Sequence, residues 1–171
     1  MNTFTMLLAT VNAGYVQRYH ADVVHDHQTV GAHTFGALAL LDFITEGKAS
    51  RNQMRALLLH DVAEISTGDT PYHSKKEFPA LKAALDAAEK EVWNKLGEPC
   101  IQLTPSEKVE CKFCDLAEAG FHAMREVKMG NTHAVPILEK VVKGLVLPTL
   151  PRSVHDRSWL IHNQLEESLN G

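Results

Sequence analysis

The stretch LLLHDVAEISTGDTP, residues 57–71, sets a histidine and an aspartate side by side behind three leucines. Read as a helix, Met54, Leu57, Leu58, Val62 and Ile65 follow the i, i+3, i+4, i+8, i+11 spacing of a core-facing stripe, and Asp61 takes its i+7 position. An ionised carboxylate moved out of water costs several kcal/mol unless a cation or a hydrogen-bond donor offsets it. Asp61 therefore needs a partner, and a metal ion is one such partner. His33, in line with Ala37, Leu40 and Ile44, aims an imidazole inward from the preceding apolar helix, and His60 adds a second. Taken singly, an interior histidine is more often hydrogen-bonded than metallated. Two imidazoles with a carboxylate are, together, the donors that a divalent transition ion takes.

Such a site wants at least one further oxygen ligand, and KFCDLAEAG, residues 112–120, holds two carboxylates. The dominant apolar stripe of that helix (Val109, Phe113, Leu116, Ala117, Phe121, Met124) lies on roughly the opposite side from Asp115. The face with Asp115 also carries Cys111, Cys114 and Ala119, so a helix buried on two sides accommodates it. Asp115 is the candidate, but periodicity alone does not choose it over Glu118. Gly120 costs that helix about 1 kcal/mol relative to alanine, which points to close packing.

The elements that position these residues read as helices near 3–12, 30–46, 51–65, 77–96, 105–129, 132–145 and 153–168. Two starts carry capping boxes, Ser50-Arg51-Asn52-Gln53 and Thr104-Pro105-Ser106-Glu107, and Gly47 and Gly130 stand where helices stop. No stretch sustains period-two alternation of β-branched residues, so the fold class is all-α, a helical bundle in one domain over residues 1–171. Gly68 to Pro71 form a loop, VLPTLP (residues 146–151) links the last two helices, and the last helix, with Trp159, Leu160 and Leu165, is assigned to packing.

At 171 residues and 44% apolar, the chain fits one core. A net charge of −4, with no basic run beyond Lys75-Lys76, lacks the footprint of a binder of nucleic acid polymers. The 3 cysteines argue against a disulfide framework and for a reducing compartment. MNTFTMLLATVNAG reads as a first helix and not as a signal peptide, and no run reaches the roughly 20 apolar residues of a membrane span, so a cytoplasmic location is expected. Cys111-x-x-Cys114 has no second pair and reads as buried thiols. Of the remaining histidines (His20, His25, His27, His73, His122, His133, His155, His162), most are expected in solvent.

The order His33, His60-Asp61, Asp115 resembles the HD-domain metal-dependent phosphohydrolases, over roughly residues 8–145. Arg18-Tyr19, 15 residues before His33, and HDVAEISTGDTPYHSKK, with its HD-x-x-E-x-x-T-G-D-x-P pattern, resemble the 5′-deoxynucleotidase branch. NAGYVQRYH and QTVGAHTFG are similar to the phage dATP triphosphohydrolases. Two positions depart from the deoxynucleotidase pattern: Ala32 stands where glutamate is usual, and Tyr19 replaces tryptophan.

The resemblance implies a metal held by His33, His60, Asp61 and Asp115, the ion being Co2+, Zn2+, Mn2+, Fe2+ or Ni2+, with Mg2+ accompanying a triphosphate. It implies Glu64, Asp69 and Arg18 as catalytic residues. Glu64 would be the general acid or base, sharing one helix face with His60 and Asp61 and reaching solvent. Arg18, Tyr19, His20, Asp69, Pro71, Lys75 and Lys76 would bind substrate, Arg18 through phosphate and Tyr19 by stacking. The expected reaction is hydrolysis of dATP to deoxynucleoside and triphosphate by a metal-activated water, the alternatives being a 5′-deoxynucleotidase acting on dNMPs or a non-catalytic nucleotide binder. A homo-oligomer working in a cytoplasm, the host's if the chain is phage-encoded, completes the expectation.

Overall fold

In a computed structural model the residues described are 3–97, 101–145 and 147–169. The elements are α1 Thr3–Ala13, α2 Val30–Thr45, α3 Arg51–Leu59, α4 Glu64–Thr67, α5 Tyr72–Glu77, α6 Pro79–Leu96, α7 Pro105–Lys128, α8 Val135–Gly144 and α9 Arg152–Glu167, with 3₁₀ turns at Thr132–Ala134 and Leu147–Thr149. No strand occurs among the described residues, only a bridge between Gln17 and Thr29. The fold is all-α. Cys100 and Val146 lie outside the described residues.

Both capping boxes form. The Gln53 N–H donates to Ser50 Oγ at 3.1 Å and the Ser50 N–H to Gln53 Oε1 at 2.8 Å. Thr104 and Glu107 make the same reciprocal pair, with Pro105 opening α7. Gly47 (φ 71°) and Gly130 (φ 89°) take the left-handed conformation just past α2 and α7, which a side chain would resist.

The expected helix over 51–65 is two helices. α3 ends at Leu59, and Val62→Leu59, Glu64→Asp61, Ile65→Val62 and Ser66→Ala63 backbone bonds close i to i+3 turns. Three residues per turn advance the side chains faster than 3.6, so the stripe loses its phase. Leu57, Leu59, Val62 and Ala63 are buried, whereas Met54, Leu58 and Ile65 are exposed. His60 and Asp61 therefore stand in the turn between α3 and α4 and Glu64 opens α4, with Asp61 and Glu64 still aligned at i and i+3. α5 is a further helix not foreseen, and it carries Lys75 and Lys76.

The chain divides into two compact units. The first draws on residues 1–22, 27–32 and 59–100. In it α1 packs on α4 and α6, and α5 on α6. A short antiparallel pairing of residues 14–18 with 28–31 starts α2. Its bonds are Arg18 N–H to Gln28 O at 2.8 Å, Val30 N–H to Val16 O at 2.9 Å and Gly31 N–H to Gly14 O at 3.0 Å. Any Cβ on Gly31 would sit 2.9 Å from the Gly14 carbonyl oxygen, so the pairing needs glycine there.

The second unit draws on residues 23–26, 33–58 and 101–171 and holds the main core. Ala37, Leu41 and Ile44 of α2 meet Phe113, Cys114 and Ala117 of α7, Leu138 and Val141 of α8, and Ile161 and Leu165 of α9. α7 is buried on two sides, as its sequence requires. Gly120 is a close-packing point, since a Cβ there would lie 2.9 Å from both Leu165 Cδ1 and Val141 Cγ1. Within α9, Leu165 packs inward but Trp159 and Leu160 are exposed.

A buried carboxylate, Glu126, ties the 23–26 segment to this unit. It accepts the His25 N–H at 2.7 Å, the Asp26 N–H at 3.0 Å and Asn131 Nδ2 at 2.7 Å. Burial opposes its charge, but the hydrogen bonds from Asn131, His25 and Asp26 outweigh it and hold the carboxyl below the usual carboxylate range. Glu126→Gln turns an acceptor oxygen into a donor facing an N–H, and is expected to lose about 1–3 kcal/mol in urea denaturation at neutral pH. Because the folded carboxyl titrates below the unfolded one, its contribution is present above the unfolded value and fades as pH falls through the folded one. The two proteins' stabilities should converge in acid.

Candidate metal and phosphate site

In the second unit, α2 and α7 bring His33 against both acidic residues of KFCDLAEAG. The imidazole is fully buried. Its Nδ1 lies 2.5 Å from Glu118 Oε2 and its Nε2 3.2 Å from Asp115 Oδ1. Lys112 Nζ donates to the other Asp115 oxygen at 2.6 Å. The alternatives left by periodicity thus separate: Asp115 meets the outer nitrogen and Glu118 the inner one. Reasoning from sequence missed this partnership of Glu118 with His33. A signal existed in Gly36, one turn beyond His33 on a helix that a glycine weakens. A Cβ at Gly36 would stand 2.6 Å from Glu118 Cγ, so the glycine makes room for that side chain.

In the first unit the i to i+3 turns after α3 present His60 and Asp61. Asp61 is not the fully interior carboxylate that the stripe implied: its side chain is 19% exposed. Oδ2 of Asp61 lies 3.2 Å from His60 Nε2 and 3.2 Å from Arg18 Nη1. The Arg18 guanidinium stands 5.8 Å from the centre of the Tyr19 ring, close enough for a cation–π contact. Tyr19 holds φ 59°, an uncommon conformation for a non-glycine residue, directly after the paired segment that fixes Arg18. Burial disfavours the Arg18 charge, but Tyr19 and the Asp61, Asp69 and Glu64 carboxyls outweigh it and move the pKa upward.

Glu64 opens α4. It does not simply reach solvent: its Oε2 is buried without a hydrogen-bond partner among the described residues, as is Arg18 Nε. Burial first, then repulsion by Asp61 and Asp69, raises its pKa from 4.5 to about 7, against the opposing pull of Arg18 and Lys75. Asp69, in the loop after Gly68 (φ 68°), and Lys75, on α5, are half-buried, and both act on Glu64. Pro71 is half-buried at the start of α5, while His20 and Lys76 are exposed. The structure thus gathers Arg18, Tyr19, Asp61, Glu64, Asp69 and Lys75 in one electrostatic group.

Elsewhere, His20, His25, His27, His73 and His133 are exposed, but His122 is buried, an exception to the expectation of solvated histidines. Burial raises the Cys111 thiol to about 12 and Cys114 further, which favours the protonated form of both. No helix among the described residues is long and apolar enough to cross a membrane.

No protein-family model matches the sequence. A 62-residue segment is 40% identical to a dATP triphosphohydrolase of cyanophage S-2L, covering 36% of this chain and 34% of that protein. The matched segment therefore spans about a third of the relative's length. Among solved structures, the cyanophage S-2L HD phosphohydrolase (DatZ), bound to dA and one catalytic Zn2+ ion, aligns with a TM-score of 0.69. The alignment covers 99% of this chain and 97% of that one, at 22% identity. The chain has the HD phosphohydrolase fold. An HD fold is an all-helical frame, which is what the capping boxes and apolar spacings of this sequence build.

The Glu64 environment gives a stability prediction for the metal-free HD fold. Between pH 4.5 and about 7 the unfolded carboxyl ionises while the folded one stays protonated, so stability falls as pH rises through that window. The full effect is no more than about 3 kcal/mol. Guanidinium denaturation near pH 5 and near pH 8 should show Glu64→Gln gaining on the wild type at the higher pH. Parallel pH dependences would mean that Glu64 titrates normally.

Proposed function

We propose that the chain is a metal-dependent deoxynucleotide phosphohydrolase that cleaves dATP to deoxyadenosine and triphosphate. The observation that carries the reading is Glu64, a half-buried carboxyl raised to about 7 and grouped with Arg18, Asp61 and Asp69. A group with a pKa near 7 both takes and gives protons at neutral pH. The 40% identical segment of the cyanophage dATP triphosphohydrolase supports the choice of substrate.

The metal ligands in this reading are His33, His60, Asp61 and Asp115. The donor set fits. His33 Nε2 beside Asp115 Oδ1 and His60 Nε2 beside Asp61 Oδ2 are each an imidazole nitrogen 3.2 Å from a carboxylate oxygen. His33, His60 and Asp115 each offer one ligand atom. Zn2+, the ion in the DatZ structure, is the first candidate, with Co2+, Mn2+, Fe2+ and Ni2+ compatible with the same mixed nitrogen and oxygen donors. A bound divalent ion supplies neutralisation of phosphoryl charge and a more acidic water.

The chain's own residues do the rest. Arg18 presents a planar fork to the phosphoryl oxygens, and its buried Nε is a donor still to be used. Lys75 adds a cation for the further phosphates of a triphosphate, and exposed Lys76 extends that charge. Glu64 Oε2 exchanges the proton between water and product. Asp69 keeps the Glu64 carboxyl high and faces the sugar or attacking water. Tyr19 and Pro71 wall the nucleoside, with the tyrosine ring stacking on the base, and His20 flanks it. The whole chain, residues 1–171, acts as one HD domain in the cytoplasm, that of the host if phage-encoded. Homo-oligomerisation belongs to the same reading, supported by exposed Phe4, Leu7, Leu8 and Val11 along one face of α1.

The zinc-loaded protein, incubated separately with dATP and dAMP, is expected to release triphosphate from the first and no inorganic phosphate from the second. Glu64→Gln should retain zinc by elemental analysis and lose roughly 10²–10⁴-fold in rate. Turnover of dAMP alone would reassign the chain to the 5′-deoxynucleotidases. A Glu64→Gln rate equal to the wild type's would remove Glu64 from the chemistry.

A further inference from the structure

We infer that Glu118 is a positioning residue for His33. Its carboxylate holds the imidazole proton on Nδ1 and so keeps the Nε2 lone pair free to bind an ion, in space that Gly36 leaves open. The inference rests on the reading of His33 and Asp115 as metal ligands and adds a residue that is itself no ligand.

The geometry comes from two helices of one unit. Asp115 and Glu118 stand one turn apart on α7, so both carboxylates face the same α2 side chain. One meets each nitrogen of a fully buried ring, at 3.2 Å for Nε2–Asp115 and 2.5 Å for Nδ1–Glu118. The neutral imidazole, the form that can ligate an ion, has one N–H and one lone pair, and an ionised carboxylate only accepts. The two carboxylates therefore compete for one proton, and the shorter contact assigns it to Nδ1. Were the proton on Nε2, it would point at Asp115. That would occupy the ring nitrogen and the carboxylate oxygen at once, which are the two atoms a metal needs from this pair.

Gly36 is the second half of the device. A methyl group there would lie 2.6 Å from Glu118 Cγ, 2.9 Å from Oε1 and 3.1 Å from Cδ. The contact involves the root of the carboxyl arm, so Gly36→Ala must displace the carboxylate from His33. Residues that orient a metal-ligating histidine through its other nitrogen typically contribute 10–100-fold to metal affinity.

The test uses the full-length chain, histidine-labelled with nitrogen-15 and metal-free, with long-range proton–nitrogen spectra reading the His33 tautomer. Zinc affinity is read by competition with a chromogenic chelator. In alkaline buffer, where the ring is neutral, the wild type should show the proton on Nδ1. Glu118→Leu, which keeps bulk but removes the acceptor, should move it to Nε2 and weaken zinc binding 10–100-fold. Glu118→Gln, with its amide oxygen still able to accept, should keep the tautomer and lose less. Gly36→Ala should fall between the wild type and Glu118→Leu. A purely packing role would lower the melting temperature of Glu118→Leu while leaving tautomer and affinity within twofold of wild type, and that result would overturn the inference. A wild type that binds no zinc would count against the metal reading instead, and the tautomer spectra would still decide the role of Glu118.

Discussion

A fully buried imidazole cannot borrow hydrogen bonds from water, so both nitrogens of His33 must be satisfied by protein or by a ligand. That requirement shapes its surroundings. α7 must offer two carboxylates one turn apart, α2 must carry a glycine where Glu118 crosses it, and the core around Ala37, Cys114 and Ala117 must be built from small side chains. In a medium of low polarisability each of these contacts is stronger than in water, and each missing one is more costly. Lys112 on the outer Asp115 oxygen offsets negative charge that would otherwise accumulate beside the ring.

A different logic governs the residues around Arg18. There the carboxyls outnumber the cations: Asp61, Asp69 and Glu64 surround Arg18 with Lys75 nearby. The system relieves the excess by keeping one proton, and burial selects Glu64 as its holder. The same imbalance that raises the Glu64 pKa makes the group receptive to added positive charge. An uncommon backbone conformation is found here too. Tyr19 sits in the left-handed region directly after the 14–18 pairing that anchors Arg18, an arrangement that persists only because neighbouring hydrogen bonds over-determine it.

The turn between α3 and α4 shows why helical periodicity misled over residues 54–65. Continuous 3.6-residue spacing carries one helix through residue 65, and local propensity contains nothing against it. The chain instead tightens to i to i+3 bonding after Leu59, and already within α3 Leu57 and Leu59 face inward while Met54 and Leu58 are exposed. Helix interiors with strong caps behaved otherwise. α7 runs Pro105–Lys128 against an expected 105–129, and α2 runs Val30–Thr45 against 30–46. Their ends are set by Thr104, Glu107, Gly47 and Gly130, residues that act within one turn of the chain.

What the sequence alone determined was of that short range: the all-α class, the caps and stops, the buried thiols, and the presence of histidines and carboxylates on apolar segments. Which carboxylate meets which nitrogen of His33 was decided only by tertiary structure. Asp115 and Glu118 differ by three positions and so share a side of α7. The choice depends on how α2 is rotated against that side and on the space at Gly36, where a Cβ would stand 2.6 Å from Glu118 Cγ. The pKa of Glu64 is likewise a property of burial and of four neighbours, Asp61, Asp69, Arg18 and Lys75, supplied by separate segments. Such quantities arise between residues distant in the chain, and no local spacing encodes them.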